Sequence, residues 1–332
     1  MPLFIRLFLM NLLPFTISAQ HGTSISFDTL AHKKFLTIVN VNKDQTYMSL
    51  WKGIGNQRPI LFEAQLSPSY FISSHHKDWA VMINPQVQVR MLNEKSRPIQ
   101  VPSYHLYLSY YHSIDFWDKT FLRKALYEDA ILFTSWVHHS NGQSGDFYLI
   151  DSTKTIDRIN GNFSVNFIQL GFSTYTLRPS GANYFSLREI KVHTELYPYG
   201  WCDPHLRGNY GFYRLFGTLN FGGPSGLGER NALNRWLQNS SIEIKLGWIF
   251  GSYQSFHPIN ATKRSIIDIS YKYFPPWLDE VAFFIRFYRG QDYYNVYFEK
   301  QLINLTIGIT SNTIKLSNSV RYLGDKRKKR NN

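Results

Sequence analysis

A single cysteine, Cys202, is all the thiol chemistry in this chain of 332 residues. One cysteine excludes an internal disulfide framework and any multi-cysteine zinc site. Charge is scarce as well: Asp, Glu, Lys and Arg make up 18 % of the residues. Past residue 20 no apolar run approaches the ~18 residues that a membrane-spanning helix requires. A sustained helical period and an internal repeat are also missing. Acidic residues number 23 against 36 basic ones, a net charge of +13. Lys326, Arg327, Lys328, Lys329 and Arg330, less Asp325, hold four of those charges, which leaves about +9 spread thinly over the rest. That distribution provides no concentrated basic stripe, so a nucleic-acid partner is not expected. Aromatics are abundant instead: 25 Phe, 22 Tyr and 8 Trp, or 17 % of the chain. Such a load excludes intrinsic disorder, and the length suffices to bury a substantial core.

The ends of the chain carry their own signals. Arg6, the apolar stretch from Leu7 to Phe15 and the small residues Ser18 and Ala19 form the pattern of a secretory signal peptide over residues 1–19. Export is the consequence. The basic stretch 317–332 has the composition of a nuclear signal, but in an exported protein it is expected to be a solvated tail.

Several segments alternate with the period of two that marks a strand. In Ile242 to Gly251, Ile242, Ile244, Leu246, Trp248 and Phe250 share one face, opposite Glu243, Lys245, Gly247 and Gly251. In Leu302 to Thr310, Ile303, Leu305, Ile307 and Ile309 oppose Asn304, Thr306, Gly308 and Thr310. Residues 86–91, 212–221, 266–273 and 282–288 behave similarly, with turn-rich breaks such as Gly222 to Gly226 between strands. Alternation alone fits either a soluble sandwich or a membrane barrel with an apolar exterior and a polar lumen. Tyr and Phe crowd the strand ends, as in Tyr104 to Tyr111 and Phe283 to Tyr288, where a bilayer interface favours aromatic girdles. Together with the signal peptide, this points to an antiparallel β-barrel in the outer membrane of a Gram-negative cell.

One constellation carries chemistry. The strand Leu132 to Ser140 leads into Asn141-Gly142-Gln143-Ser144-Gly145, and on it Leu132, Trp136, His138 and Ser140 share a face. A serine hydroxyl becomes a useful nucleophile when a neighbouring imidazole takes its proton, and an i, i+2 pair on a strand brings the two groups together. By itself His-x-Ser is also an ordinary polar strand end.

The longer string His138-His139-Ser140-Asn141-Gly142-Gln143-Ser144 resembles the His-x-Ser-Asn-Gly-Arg-Ser signature of the outer-membrane phospholipase A family, with Gln143 in the place of Arg. Ser109 to Ser113, Phe116-Trp117, Phe121-Leu122-Arg123 and Tyr127-Glu128 are similar to that family's upstream region. Tyr294 to Glu299 and Leu305 to Ile309 resemble its last hairpin, so the likeness spans about residues 104–310. It implies a twelve-stranded barrel over residues 58–316, after a non-barrel segment at 20–57, and hydrolysis of the acyl esters of membrane phospholipids. Ser140 would be the nucleophile, His138 the base, and an asparagine the residue that orients the base. Ser164-Val165-Asn166 is the best match to that family's Ser-Trp-Asn string, provided that a loop is inserted around 145–160. Asp157, in Asp157-Arg158, is the competitor. Asn166 is preferred because a neutral amide accepts the imidazole N–H without setting a charge against lipid.

By the same resemblance, the Gly142 N–H and calcium would steady the oxyanion. The family pattern places the Gln143 carbonyl and Asn162 on the calcium, with a further ligand from the second subunit of a homodimer. The matching positions for that ligand are Lys119 and Thr120, of which only Thr120 offers an oxygen. Two alternatives stay open. One is a lipid A deacylase, a barrel hydrolase with an acidic third residue; the other is a non-catalytic porin or structural barrel.

Overall fold

The computed structural model describes residues 35–311, apart from 37, 50–53, 56–59, 74–78, 94, 96–98, 115–128, 151–154, 177–182, 225–226, 228–230 and 279–280. Fourteen extended pieces make twelve antiparallel strands. The first two strands are each in two pieces: β1 is Tyr47–Ser49 with Ile54–Gly55, and β2 is Ile60–Leu66 with Tyr70–Ser73. There follow β3 (Trp79–Leu92), β4 (Ser103–Ser113), β5 (Asp129–Ser140), β6 (Ser164–Tyr175), β7 (Ser186–Leu196) and β8 (Tyr213–Gly222). The last four are β9 (Ser240–Phe250), β10 (Ser265–Tyr273), β11 (Val281–Gln291) and β12 (Gln301–Ser311). Each strand pairs with its neighbour in sequence, and β1 closes the cylinder by pairing with both β2 and β12 (Tyr47 opposite Gln65 and Thr310). Closure removes the sheet edges. The barrel therefore begins at Tyr47, inside the 20–57 segment expected to lie outside it. The three-residue and two-residue pieces of β1 are too short to show a period of two. Residues 1–19, expected to be a signal peptide, and 317–332, expected to be a solvated tail, lie outside the described residues.

Alternation sets the two faces of the wall. Leu132, Trp136, Leu170, Val192, Leu215, Leu246, Ile285 and Ile307 are exposed on the outside, while Gln86, Gln88, Arg90, Glu189 and Arg214 are buried within. This is the inverse of a soluble sandwich and the pattern of a membrane barrel. Among the described residues no helix is long and apolar enough to cross a membrane.

The lumen is closed at the Ser140 end and partly filled at the other. Near the Ser140 end, the β5–β6, β7–β8 and β11–β12 connections fold inward, and Phe147, Phe163, Tyr210, Tyr294 and Phe298 join one apolar cluster with Val137. At the other end Phe35, Ile38 and Val39, in a helical stretch ahead of β1, pack on Ala80, Met82, Tyr111 and Phe133. Between them lies a polar cavity of about 810 Å³, lined by Gln88, Lys191, Glu243, Lys245, Asp268 and Arg286 among others. Arg90 clamps the wall to the inward β11–β12 loop. Its guanidinium donates to Glu63 at 2.7 Å and to both Asp292 oxygens at 3.0 and 2.8 Å, and it lies 4.5 Å from the Tyr294 ring centre.

Candidate active site

Strand β5 delivers two histidines to opposite faces of the wall. His138 shares the outward face with Trp136 and Ser140, whereas His139 is buried on the lumen side. The His139 Nε2 lies 2.7 Å from Ser103 Oγ, and the ring stacks on His105 at 3.8 Å. That inner serine–histidine contact is sealed from lipid. The outer pair, His138 and Ser140, faces the side where a lipid would lie.

The neighbouring strand positions the third residue. The β5–β6 register sets His138 opposite Asn166, and His138 Nδ1 is 2.9 Å from Asn166 Oδ1. Asn166 Nδ2 in turn donates to the Trp201 carbonyl at 3.0 Å. This chain of contacts fixes the protons. A carbonyl only accepts, so the amide must turn its NH₂ to Trp201 and its oxygen to the imidazole. The imidazole must then carry its proton on Nδ1, which leaves Nε2 with the lone pair a base needs. The Trp201 carbonyl was not visible to sequence reasoning, because a main-chain group leaves no side-chain signature. Its turn, Tyr199–Trp201, is held beside β6 by the Val165–Cys202 bridge.

Asp157, the competing candidate, is occupied elsewhere. Its Oδ1 accepts from the Ile159 and Asn160 N–H groups at 2.9 and 3.1 Å, which makes it the cap of a turn in the β5–β6 connection. That connection supplies the extra length between Ser140 and Asn166, and Phe147 and Ile156 tie it into the apolar cluster.

After Ser140 the chain turns through Gly142 at φ +68°, a conformation glycine adopts without penalty. The buried Asn141 side chain holds the turn. Its Oδ1 accepts from the Gln143 and Phe163 N–H groups at 3.2 and 3.0 Å, and its Nδ2 donates to the Gly161 carbonyl at 2.8 Å. The Asn-Gly pair in the string thus has a physical reason: one residue clamps the turn and the next permits it.

For a metal, no three His, Cys, Asp or Glu side chains converge among the described residues. Asn162 lies at the start of the same ladder, its N–H donating to Gly145 O at 3.0 Å and its Nδ2 to Asp203 Oδ2 at 3.1 Å. Amide, carboxylate and carbonyl oxygens next to the turn are the hard donors that calcium takes. Lys119 and Thr120 lie outside the described residues. Burial pushes the Cys202 thiol up, so the lone cysteine is no rival nucleophile. His193, which from sequence reads as a surface residue, is buried in the lumen against Phe216, ring centres 4.9 Å apart.

The fold defines a closed antiparallel barrel of twelve strands, with the His138–Asn166 contact on the outer wall and Ser140 on the same face of β5. No family model matches the chain, and no curated protein matches its sequence. Among solved structures it is similar to outer membrane phospholipase A from Escherichia coli, with a TM-score of 0.50 and 12 % identity over 81 % of this chain and 96 % of that one. It is equally similar to the Salmonella typhi outer membrane phospholipase dimer with bound calcium (TM-score 0.50, 12 % identity), over 81 % of this chain and 90 % of that one. At this identity the likeness is one of fold.

Proposed function

We propose that the protein is an outer-membrane phospholipase that hydrolyses the acyl esters of glycerophospholipids. The observation that carries this reading is the 2.9 Å contact between His138 and Asn166 on the lipid-facing wall, with Ser140 two residues along the same face. A site there meets its substrate within the membrane plane. The signal-peptide pattern at residues 1–19 and the apolar outer wall support placement in the outer membrane of a Gram-negative cell.

In the mechanism Ser140 Oγ attacks the ester carbonyl carbon as its proton passes to His138 Nε2. Asn166 Oδ1 accepts the Nδ1–H and holds the ring through this step. The Gly142 N–H is the candidate donor to the oxyanion. The tetrahedral carbon then expels the glyceryl oxygen, which takes the proton from His138. Water, deprotonated by the same imidazole, frees the fatty acid from the Ser140 ester and restores the enzyme. The Gln143 carbonyl and the Asn162 side-chain oxygen are the groups that would hold calcium, which would supply positive charge to stabilise the oxyanion. A homodimer would pair apolar outer walls.

The alternatives fit less well. A lipid A deacylase calls for an acidic third residue, and here the imidazole faces an amide. A porin calls for an open lumen, and here the Arg90 cluster and inward loops fill one end.

Purified protein in detergent, given phospholipids of defined head group, should release fatty acid. Ser140→Ala and His138→Ala should each lower the rate on the order of 10³-fold while the barrel stays folded, because the two groups act as a unit. Equal rates in wild type and Ser140→Ala would end this reading.

A further inference from the structure

We propose that the polar cavity in the barrel lumen is a binding site for a water-soluble phosphate ester, held between Lys191 and Lys245. The barrel wall separates this site from the His138–Asn166 contact, and the inference does not depend on hydrolysis there.

The ladder puts the two lysines on one level. Thr218 of β8 stands opposite both Lys191 of β7 and Lys245 of β9, so one strand separates them and their main chains lie roughly 9–10 Å apart. All three residues line the cavity. A row of rings runs beside them: Phe133, His193 and Phe216 follow one another at 6.4 and 4.9 Å between centres. Lys191 Nζ lies 5.0 Å from the Phe133 centre, and Lys245 Nζ lies 4.5 Å from that of Phe216. The two ammonium groups therefore bracket the row, with Thr218 on the rung between them.

Charge supplies the second argument. Among the described residues six cations and four carboxylates line the cavity, a surplus of two positive charges. The carboxylates nearest Lys245 are already taken: Asp268 accepts from Arg286 at 2.9 and 2.8 Å, and Glu243 accepts from Lys272 at 2.8 Å. Glu189, two residues before Lys191, accepts from the Ser173 hydroxyl at 2.9 Å. Lys191 donates only a long contact to the Asn42 carbonyl at 3.4 Å, and neither it nor Lys245 forms an ion pair among the described residues. His193 Nδ1, buried in the ring row, also has no hydrogen-bond partner. Unpaired cations inside a low-dielectric cylinder focus their field on an anion. A phosphate monoester carries about −1.5 to −2 at pH 7, which matches the surplus. The volume of about 810 Å³ is that of a small-molecule site and leaves room for an organic part. The mouth at Gly222 to Pro224 lies at the end opposite Ser140, so the ligand enters from water and not from lipid.

Calorimetric titration of the full-length protein in neutral detergent tests the proposal. Glycerol 3-phosphate and inorganic phosphate should compete for one saturable site per chain, while glycerol should not bind and phosphatidate in mixed micelles should not displace them. Lys191→Gln and Lys245→Gln should each weaken binding at least about tenfold, because a charge-assisted bond is gone. Lys263→Gln removes the same charge from the short helix Ala261–Arg264, outside the cavity, and should bind as the wild type does. A measurement on the wild type alone covers a lysine variant that fails to fold: glycerol 3-phosphate should slow acetylation of Lys245 relative to Lys263, read by mass spectrometry. Absence of saturable binding, displacement by phosphatidate, wild-type affinity in the two lumen variants, an equal loss in Lys263→Gln, or unaltered acetylation of Lys245 would each overturn the proposal.

Discussion

Asn166 has two obligations, to accept from His138 and to donate to Trp201, and only an amide meets both. A carboxylate would be a stronger partner for an imidazolium, yet one of its oxygens would face the Trp201 carbonyl where a donor now stands. Asn166→Asp is therefore expected to lose activity, by about tenfold, since the hydrogen bond to the Trp201 carbonyl is lost, a contribution of about 0.5–1.5 kcal/mol to holding the imidazole's partner in place. Activity above wild type in that variant would show that the carbonyl contact does not matter. Asp157→Ala should leave turnover unchanged while loosening its turn; a crippled enzyme would make it the orienting residue instead. Gly142→Ala forces a non-glycine residue to φ +68°, with its Cβ 3.4 Å from the Tyr104 ring. The backbone term alone costs roughly 1–2 kcal/mol, and turnover should fall further than the folded fraction. The His138–Ser140 spacing was legible in the sequence because a strand's period is two. The choice of Asn166 over Asp157 rested on electrostatic preference, and the cross-strand register that puts Asn166 beside His138 is visible only in three dimensions.

At the level of elements, the break in β2 has a local cause. The registers of Leu66 with Val87 and Tyr70 with Ile83 set Pro68 across from Pro85, and neither proline has an N–H to give. The ladder fails there. Asn84, 1 % exposed, substitutes for it: its Nδ2 donates to Pro68 O at 2.6 Å and lies within bonding reach of the Ser67 and Ser69 hydroxyls. Asn84→Ala should lower the stability of the detergent-folded barrel by about 1–3 kcal/mol, the cost of stranding those groups, seen as an earlier urea midpoint. Pro68 and Pro85 hide β2 and the first half of β3 from a reading based on alternation, while residues 86–91 of β3 and the strands β9 to β12, with clean alternation and no internal proline, stand out. A second device recurs three times: Phe133, Phe216 and Phe284 lie across from Gly171, Gly247 and Gly308, and a Cβ on any of these glycines would come within 2.1 to 2.7 Å of the ring. Each bare glycine lets an aromatic ring lie flat in a crowded lumen. Gly171→Ala should cost about 1–3 kcal/mol through overpacking, and Phe133→Leu in the same chain should restore part of it.

For the whole molecule, the apolar exterior with a polar interior predicts a protein extracted only by detergent, whose gel mobility changes on heating as the closed cylinder opens. A soluble monomer in the periplasm would contradict the wall pattern. The same wall has the proposed lipid chemistry on its outside and the 810 Å³ cavity on its inside, with Arg90, Glu63, Asp292 and Tyr294 crowded together toward the Ser140 end. In electrical terms that crowding is an insulator. Reconstituted into a planar bilayer, the protein should carry no steady ionic current, although lysine-directed reagents should reach Lys245 from the mouth lined by Gly222 to Pro224. Releasing the inward loop with Arg90→Ala and Asp292→Ala together should turn silence into discrete current steps, so one recording sorts the wild type from a pore: a charged cavity that opens on one side of the membrane and conducts nothing to the other.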